Sequence, residues 1–295
     1  MYFGMPFRGS VAVAAGAVSW SVLRGPRFVR LFPDVYVAAD VPVDHLLFCR
    51  AATLYVGRDA VVSGLSALAV LGVDQLPLGE PAVEISVARS VYATRNPRIS
   101  VVRSAVDVAD IVKRASTPVT SGVRTGFDLA RRLPLSSAVA AVDGLTHRHL
   151  ATVDQIRAYA LAHPAGDCCR QIARVLSLVD PASESPMESH TRVLLVVGGL
   201  PRPESQVEVF DASGALIGRL DLAYRRIKLG LEYDGDHHRS TDVFRRDVAR
   251  LNALRTAGWE IVRVTADDIY RTPVKFVGEV RRLIVERAGA MRRAA

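Results

Sequence analysis

The 295-residue sequence has little cysteine and lysine, and it has no long hydrophobic run. Its three cysteines, Cys49, Cys168 and Cys169, show neither metal-ligand spacing nor the pattern of a disulfide framework, which excludes a zinc module and a disulfide-stabilised secreted domain. No stretch reaches the roughly 18 uncharged apolar residues of a membrane-spanning helix. We therefore expect a cytoplasmic protein with reduced thiols that does not associate with a membrane.

The charged residues are mostly arginines. Hydrophobic residues make up 49% and charged residues 23% of the chain, which excludes a disordered regulator. The net charge is +8, and lysine occurs only at positions 113, 228 and 275. Arginine presents a planar fork of donors that suits phosphate groups, so this composition permits binding to nucleic acid. A GC-rich genome would produce the same arginine bias without any function.

Residues 1–45 predict a small module with the element order of a winged helix. Two short helices are expected over Val11–Ala17 and Trp20–Arg24, followed by a hairpin over Arg27–Val37. Such a module approaches DNA with its second helix and its wing. The side chains placed there are Arg24, Arg27 and Arg30. A purely structural cap explains the same pattern.

Residues 46–175 predict a mixed α+β region, and the Pro- and Ser-rich segment 180–186 marks a boundary behind it. Hydrophobic periodicity places the helices and strands of this region. The expected helices are Leu46–Val56, Ser63–Leu71, Thr125–Arg132, Ser137–His147 and Val153–Ala162, and the expected strands are Ala82–Ala88 and Ile99–Arg103.

Residues 183–290 predict an α/β domain with the order α-β-β-β-α-β-α. This order describes a hairpin-built mixed sheet that a crossover helix extends by one parallel strand. The expected elements are a helix from Pro186 to about Val197, strands Gln206–Asp211, Arg219–Tyr224 and Ile227–Tyr233, a helix over Thr241–Thr256, a strand over Trp259–Thr265 and a last helix from Pro273.

Acidic residues alternate along two of these strands. A two-residue turn at Arg225–Arg226 would place Asp221 opposite Gly230 and diagonal to Glu232, with Asp234 on the same face. Neighbouring carboxylates repel each other, and a divalent cation bound to their oxygens would relieve that repulsion. The pattern therefore predicts an Mg²⁺ or Mn²⁺ site. The alternative is a solvated sheet face that Arg219 or Lys228 neutralises.

Two further residues extend the candidate site. His238 follows the acidic strand after a short loop, and an imidazole there would exchange protons near neutral pH. Glu188 lies three residues after Ser185, which is the spacing of a capping box at a helix start. Glu188 is therefore predicted either to close that cap or to serve a metal, and the two roles can be shared through water.

The combined motif resembles a widespread family of unknown-function domains related to the very-short-patch-repair endonucleases, within the PD-(D/E)xK restriction-endonuclease-like fold. The resemblance covers about residues 183–287. It is carried by Glu188, Asp221, the run Glu232-Tyr-Asp-Gly-Asp-His-His238, the helix segment Asp247-Val-Ala-Arg250 with Leu254, and Gly258-Trp-Glu-Ile-Val-Arg263. More loosely, the upstream part resembles AbiEi-type antitoxins through the segment Arg27–Val37 and the Arg124-Thr125 stretch.

The resemblance implies roles for individual residues. Asp221 and Glu232 would hold the metal, Glu188 would orient a ligand water or a second ion, and His238 would match the histidine of the family. Asp247 and Arg250 would match a pair of residues that the family carries on one helix. The position that usually holds a catalytic lysine is occupied by Asp234, and Lys228 or His238 would have to replace that lysine.

These observations predict a Mg²⁺-dependent DNA endonuclease, with Asp234 and His238 in proton transfer. Arg239, together with the arginines of residues 1–45, would bind the DNA backbone. The alternative is a DNA-binding regulator or antitoxin-like protein with a catalytically degenerate nuclease fold. The expected partner is DNA, and a second copy of the chain and a toxin-like protein are further candidates.

Overall fold

The computed structural model describes residues 3–73, 81–88, 96–163, 168–235 and 241–294, with the backbone alone at 168, 241–245 and 294. The chain divides into two units. The first comprises Met1–Arg132 and Arg148–Ile172, and the second comprises Leu133–His147 and Ala173–Ala295. Both are built from helices and β-sheets, so the chain belongs to the mixed α/β class.

The elements up to residue 178 alternate short strands with helices. In chain order they are β1 (Phe7–Arg8), α1 (Gly9–Ala14), α2 (Trp20–Leu23), β2 (Phe28–Phe32), β3 (Val35–Ala38), α3 (His45–Val56), β4 (Val61–Val62), α4 (Gly64–Val70), β5 (Val83–Val87), β6 (Ile99–Arg103), β7 (Ile111–Arg114), β8 (Thr117–Thr120), α5 (Gly122–Arg132), α6 (Leu135–His147), α7 (Val153–Ala162) and α8 (Cys168–Leu178). Helix α6 belongs to the second unit, and α8 crosses the division between the units.

The remaining elements follow the order predicted for residues 183–290. They are α9 (Pro186–Val197), β9 (Glu204–Phe210), β10 (Leu216–Tyr224), β11 (Leu229–Tyr233), α10 (Thr241–Thr256), β12 (Glu260–Val264), α11 (Ala266–Tyr270) and α12 (Pro273–Ala294). The prediction α-β-β-β-α-β-α is confirmed, apart from the short helix α11, which the sequence analysis missed.

The first unit contains two sheets, with strand orders β1-β3-β2 and β6-β5-β4-β8-β7. The two predicted N-terminal helices and the hairpin are present as α1, α2 and β2–β3. Helix α5 contains a buried ion pair. Arg124 is 6% exposed, and its Nε donates to Asp128 Oδ2 at 2.8 Å. The Arg124-Thr125 stretch therefore forms part of the interior of this unit. No helix in the described ranges is both long and apolar enough to cross a membrane.

The second unit is built on one sheet of order β12-β11-β10-β9. Strands β9, β10 and β11 are antiparallel, whereas β11 and β12 are parallel and joined through α10. One core, which includes Leu222, Leu231 and residues of α9 and α12, covers one face. A second core, which includes Leu220, Ala223 and Leu254 of α10, covers the other. Both faces of this sheet are therefore packed.

Strand β10 changes the direction of its side chains at Asp221. Regular alternation along a strand would place Leu220 and Leu222 on one face. Instead, Leu220 packs in the core beside α10 and Leu222 packs in the core beside α9 and α12. Opposite Asp221, Gln206 of β9 has a φ of +54°. The β9–β10 ladder pairs the residues on either side of this position, Leu220 with Val207 and Leu222 with Ser205. An irregular position in both strands thus interrupts the alternation.

Candidate functional site

The acidic residues of β10 and β11 open into a pocket of about 260 Å³ on the α10 side of the second unit. Strands β10, β11 and β12 and helix α10 supply its walls. The charged residues that line it are Arg219, Asp221, Glu232, Asp234, Asp247, Arg250 and Arg263. Asp221, Glu232 and Asp234 therefore share one pocket, as the sequence analysis predicted.

The register between the two acidic strands differs from the prediction. Ala223, not Asp221, pairs with Gly230, so Asp221 lies level with Glu232. The connection is not a two-residue turn: it has four residues, Arg225 to Lys228, with a 3₁₀ turn and a left-handed residue at Lys228 with φ +50°. Gly230 makes room for the core and not for an ion, because a Cβ there would lie 2.8 Å from Leu220 Cδ1.

Asp221 is held by the backbone of the neighbouring strand. The Tyr233 N–H donates to its Oδ2 at 2.9 Å, and within the described chain its Oδ1 has no hydrogen-bond partner. Burial, followed by the nearby charges of Glu188 and Glu232, raises the pKa of Asp221 to about 6, although the Tyr233 N–H favours the ionised form. The Asp221 carboxylate is thus ionised at neutral pH at an energetic cost.

Glu188 lies in the first turn of α9 and is 6% exposed. Its Oε2 accepts from the Glu184 N–H at 3.0 Å and from Gln206 Nε2 at 2.7 Å. Ser185 Oγ accepts from the Glu188 N–H at 3.2 Å. The predicted cap is therefore present, with Glu184 in place of Ser185 as the backbone donor to the glutamate. Among the described residues, nothing donates to Glu188 Oε1, so one oxygen remains available.

Gln206 is a site residue that sequence reasoning missed. Its left-handed backbone carries a side chain with a Cβ, a conformation that costs about 1 kcal/mol or more. This backbone points the amide at Glu188, where Nε2 holds Oε2. In the sequence Gln206 is an ordinary polar residue at a strand start, and no glycine or asparagine signals the left-handed backbone.

Glu232 is paired with an arginine. Arg250 of α10 donates through Nη1 to Glu232 Oε1 at 2.5 Å and through Nη2 to Oε2 at 2.8 Å. Nη2 also donates to Asp247 Oδ1 at 3.0 Å. Both Glu232 oxygens are therefore engaged by a cation, which departs from the predicted role of Glu232 as a metal ligand beside Asp221. Asp247 and Arg250 both lie on α10, and Arg250 contacts strand β11 directly through Glu232.

The remaining acids of the pocket continue this chain of ion pairs. Arg263 of β12 donates to Asp234 Oδ2 at 2.6 Å and also to Asp247 Oδ2. Burial alone would raise the pKa of Asp247, but the hydrogen bonds and charges of Arg263 and Arg250 lower it to about 2. Asp234, predicted to take part in proton transfer, is thus one member of an ion pair on the wall of the pocket.

Lys228 does not replace the missing lysine. Its Nζ donates to the Ala257 carbonyl at 2.9 Å, close to the end of α10, and it does not line the pocket. Lys228 ends the turn before β11 and is not part of the strand that carries Glu232. His238 and Arg239 lie outside the described residues. Arg24, Arg27 and Arg30 are all exposed, around the end of α2 and on β2 of the first unit.

The charges of the pocket do not balance. Four carboxylates and three guanidinium groups line the pocket. Glu188, whose charge raises the pKa of Asp221, adds a fifth carboxylate next to it. The third arginine of the pocket, Arg219, pairs with Glu184 at 2.7 Å. Within the described ranges no three His, Cys, Asp or Glu side chains form a group that could hold a metal ion. The two carboxylates without a cation partner there are Glu188 and Asp221.

Two uncharacterized proteins of Mycobacterium tuberculosis are similar to this chain in sequence. Rv2248 of strain H37Rv and MT2308 of strain CDC 1551 are each 27% identical over 256 residues, covering 86% of this chain and 91% of the relative. The crystal structure of the RV2827C protein from M. tuberculosis superposes with a TM-score of 0.41 and 14% identity over 70% of this chain and 84% of that one. No protein-family model matches the chain.

Proposed function

We propose that this protein is a divalent-metal-dependent nuclease that hydrolyses DNA phosphodiester bonds. The observation that carries the proposal is the Glu188–Asp221 pair. Glu188 is buried and Asp221 is half-buried, the charge of Glu188 raises the pKa of Asp221, and within the described residues only neutral donors bind the two carboxylates. A protein retains such a pair at a cost, and a cation would offset that cost.

The donor set fits Mg²⁺ or Mn²⁺, since both prefer carboxylate oxygens. Asp221 and Glu188 would hold the ion through Oδ1 and Oε1, the oxygens that the described chain leaves open. Glu232 would join them only after release from Arg250. The bound cation would polarise the phosphoryl oxygen and lower the pKa of a water molecule.

The arrangement of elements agrees with the resemblance to the very-short-patch-repair-related domains. Glu188 lies on the helix before the sheet, Asp221 on its second strand and Glu232 on its third. The strand order β12-β11-β10-β9, with one parallel pair, supports a restriction-endonuclease-like fold for residues 183–290. This support is independent of the charges, because it rests on the backbone alone.

Hydrolysis adds a water oxygen to phosphorus and breaks one ester P–O bond. One water proton goes to the leaving oxygen and the other is released. Asp221 and Glu188 would position the attacking water, and the sequence assigns the proton transfer to His238. Arg24, Arg27, Arg30 and Arg239 would bind backbone phosphates, so affinity should fall steeply as salt rises. The interpretation of residues 1–45 as a winged-helix module is part of this proposal.

The test is cleavage of supercoiled plasmid and single-stranded DNA by the full chain, with Mg²⁺ or with EDTA. Asp221→Asn and Glu188→Gln should each lower the Mg²⁺-dependent rate by about 100-fold or more, because the loss of one ligand weakens the whole ion site. Glu279→Gln, an exposed acid on α12, is the matched control and should cleave like the wild type. Cleavage that survives both site substitutions would rule the proposal out.

A second candidate is a DNA-binding regulator or antitoxin-like protein with a degenerate nuclease fold. The observation that favours it is the capture of Glu232 by Arg250, together with Asp234 in the place of the lysine. This candidate predicts metal-independent binding of duplex DNA that is lost in Arg27→Ala/Arg30→Ala and unchanged in Asp221→Asn. If the protein is a nuclease, Asp221→Asn should instead lose Mg²⁺-dependent cleavage.

A further inference from the structure

The side chain of Arg250 reaches the pocket through the space that Gly218 of β10 leaves open. Its aliphatic stem passes over Gly218 of β10, where a Cβ would lie 3.1 Å from Arg250 Cδ and 3.4 Å from Cγ. A Cβ at 218 would require the stem of Arg250 to shift by a few tenths of an ångström. The sequence thus provides space on β10 for a long side chain that arrives from α10.

The guanidinium group of Arg250 retains free donors. Three of its five N–H groups bind Glu232 and Asp247. The Nε–H and one Nη1–H have no acceptor in the described part of the chain, and the side chain lines the pocket while 28% exposed. Either of these N–H groups can donate to a further anion while the carboxylate partners stay bound.

The other cations of the pocket are less suited to this task. Arg263 uses both terminal nitrogens on Asp234 and Asp247. Arg219 is 48% exposed and pairs with Glu184 at the rim. Among the described arginines, Arg250 is the one whose side chain forms an ion pair with Glu232.

Arg250 also keeps its charge throughout the pH range of the protein. The hydrogen bonds and charges of Glu232 and Asp247 hold its pKa well above the ordinary value of an arginine. Such a group cannot act as a base. It can stabilise the negative charge that accumulates on phosphoryl oxygens in the transition state, which is the other task of a cation at this position.

We infer that Arg250 is a catalytic residue that contacts the phosphodiester undergoing cleavage, in place of the lysine that is absent from position 234. The inference rests on the proposed nuclease function. One of its open N–H groups would donate to a non-bridging phosphoryl oxygen, while Glu232 and Asp247 hold the guanidinium plane in place. No proton is transferred to or from Arg250 in this role.

The experiment compares Arg250→Ala, Arg250→Lys and wild type in the full chain. Removal of one preorganised donor to the reacting oxygen typically lowers kcat by about 100- to 1,000-fold. We expect Arg250→Ala to lose that much of the Mg²⁺-dependent cleavage of a single-stranded oligonucleotide, and Arg250→Lys to recover only part of it. Mn²⁺ binding, measured by calorimetry without DNA, should be retained or strengthened in Arg250→Ala, because Glu232 is released.

Chemical rescue separates a catalytic role from a structural one. Guanidinium chloride at a few millimolar should restore part of the cleavage by Arg250→Ala, because the ion can occupy the space over Gly218, whereas urea at the same concentration should not. Arg255→Ala, an exposed arginine near the end of α10, is the matched control for charge loss and should keep the wild-type rate. Thermal unfolding identifies any variant that is not folded, in which case Arg250→Lys carries the test.

Three outcomes would overturn the inference. These are an Arg250→Ala rate within about threefold of the wild type, loss of Mn²⁺ binding together with activity, or equal rescue by urea and guanidinium. If wild type itself neither binds Mn²⁺ nor cleaves DNA, the proposed nuclease function fails. If wild type cleaves and Arg250→Ala cleaves equally well, only the role of Arg250 fails.

Discussion

The second unit contains two clusters of charged residues, and they differ in how their charges are compensated. In the interior, Arg192 is completely buried and donates to Asp143 Oδ2 and to the Leu178 carbonyl. Asp143 also accepts from Ser189 Oγ at 2.6 Å and from the Asp180 N–H at 2.7 Å. This cluster links α6, α9 and the segment before α9, and nearly every polar atom in it has a partner.

The pocket contains arginines too, but its carboxylates outnumber them. Arg250 and Arg263 serve Glu232, Asp247 and Asp234, while Glu188 and Asp221 are left with neutral donors in the described chain. Burial raises the pKa of Asp143 to about 6, as it does that of Asp221, so both clusters hold an ionised carboxylate at a cost. In the interior Arg192 offsets this cost, whereas in the described part of the pocket no cation pairs with Asp221 or Glu188. Costs of this kind are common at functional sites, and the proposed function rests on this observation.

Arg192→Met should have the largest effect, because it leaves the Asp143 carboxylate buried without a cation. We expect a loss of about 3–5 kcal/mol in the free energy of unfolding, measured by urea denaturation. The double variant Arg192→Met/Asp143→Asn should lose less, since no uncompensated charge remains. Equal losses in the single and double variants would show that packing, and not charge, dominates this cluster.

Asp221→Asn should stabilise the protein in the absence of metal. The folded-state pKa of about 6 lies above the unfolded value, so this group favours folding below about pH 4 and that contribution is lost as the pH rises through 6. We expect the free energy of unfolding of the variant to rise by about 1–2 kcal/mol at pH 8 and to be unchanged at pH 4. The gain is this small because solvent partly screens the Asp221 carboxylate. Urea denaturation in EDTA measures the gain, and a variant less stable than wild type at pH 8 would contradict it.

Asp247→Asn should have the smallest effect and the opposite pH dependence. The Asp247 pKa of about 2 lies below the unfolded value, so its contribution is present above about pH 4 and is lost as the pH falls through 2. At pH 7 we expect a loss of about 0.5–1 kcal/mol, because the ion pairs are partly exposed to solvent. Thermal unfolding should show the variant and wild type converging toward pH 2, and a gap that widens on acidification would count against this account.

The sequence predicted the order of elements in residues 183–290 apart from α11, and it predicted that Asp221, Glu232 and Asp234 lie together. Periodicity placed β10 and β11 because apolar residues recur along both strands, and their neighbouring positions in the sheet put Asp221 and Glu232 in one pocket. The alternation did not predict the irregular position at Asp221. In the first unit, β6 and α7 match their predicted bounds, whereas β4, β7 and β8 were missed because two to four residues carry too little pattern.

The contacts that define the chemistry of the pocket could not be predicted in the same way. The register between β10 and β11 depends on the left-handed backbone of Lys228. Glu188 is held by Gln206, whose backbone is also left-handed. Neither lysine nor glutamine favours this conformation, so the sequence gives no signal for it. Arg250 reaches Glu232 across 18 positions of sequence through space left at Gly218. Such contacts arise from tertiary packing, and a local pattern carries no record of them.

The hydrogen bond from the Tyr233 N–H to Asp221 has a consequence for measurement. Most amides of a packed sheet bind carbonyl oxygens, whose charge stays constant, but this amide binds a carboxylate that can lose or gain a proton. Its proton resonance should therefore shift when Asp221 titrates or coordinates an ion. A single nuclear magnetic resonance signal from β11 would then follow the occupancy of the pocket in solution, without a substrate and without catalysis.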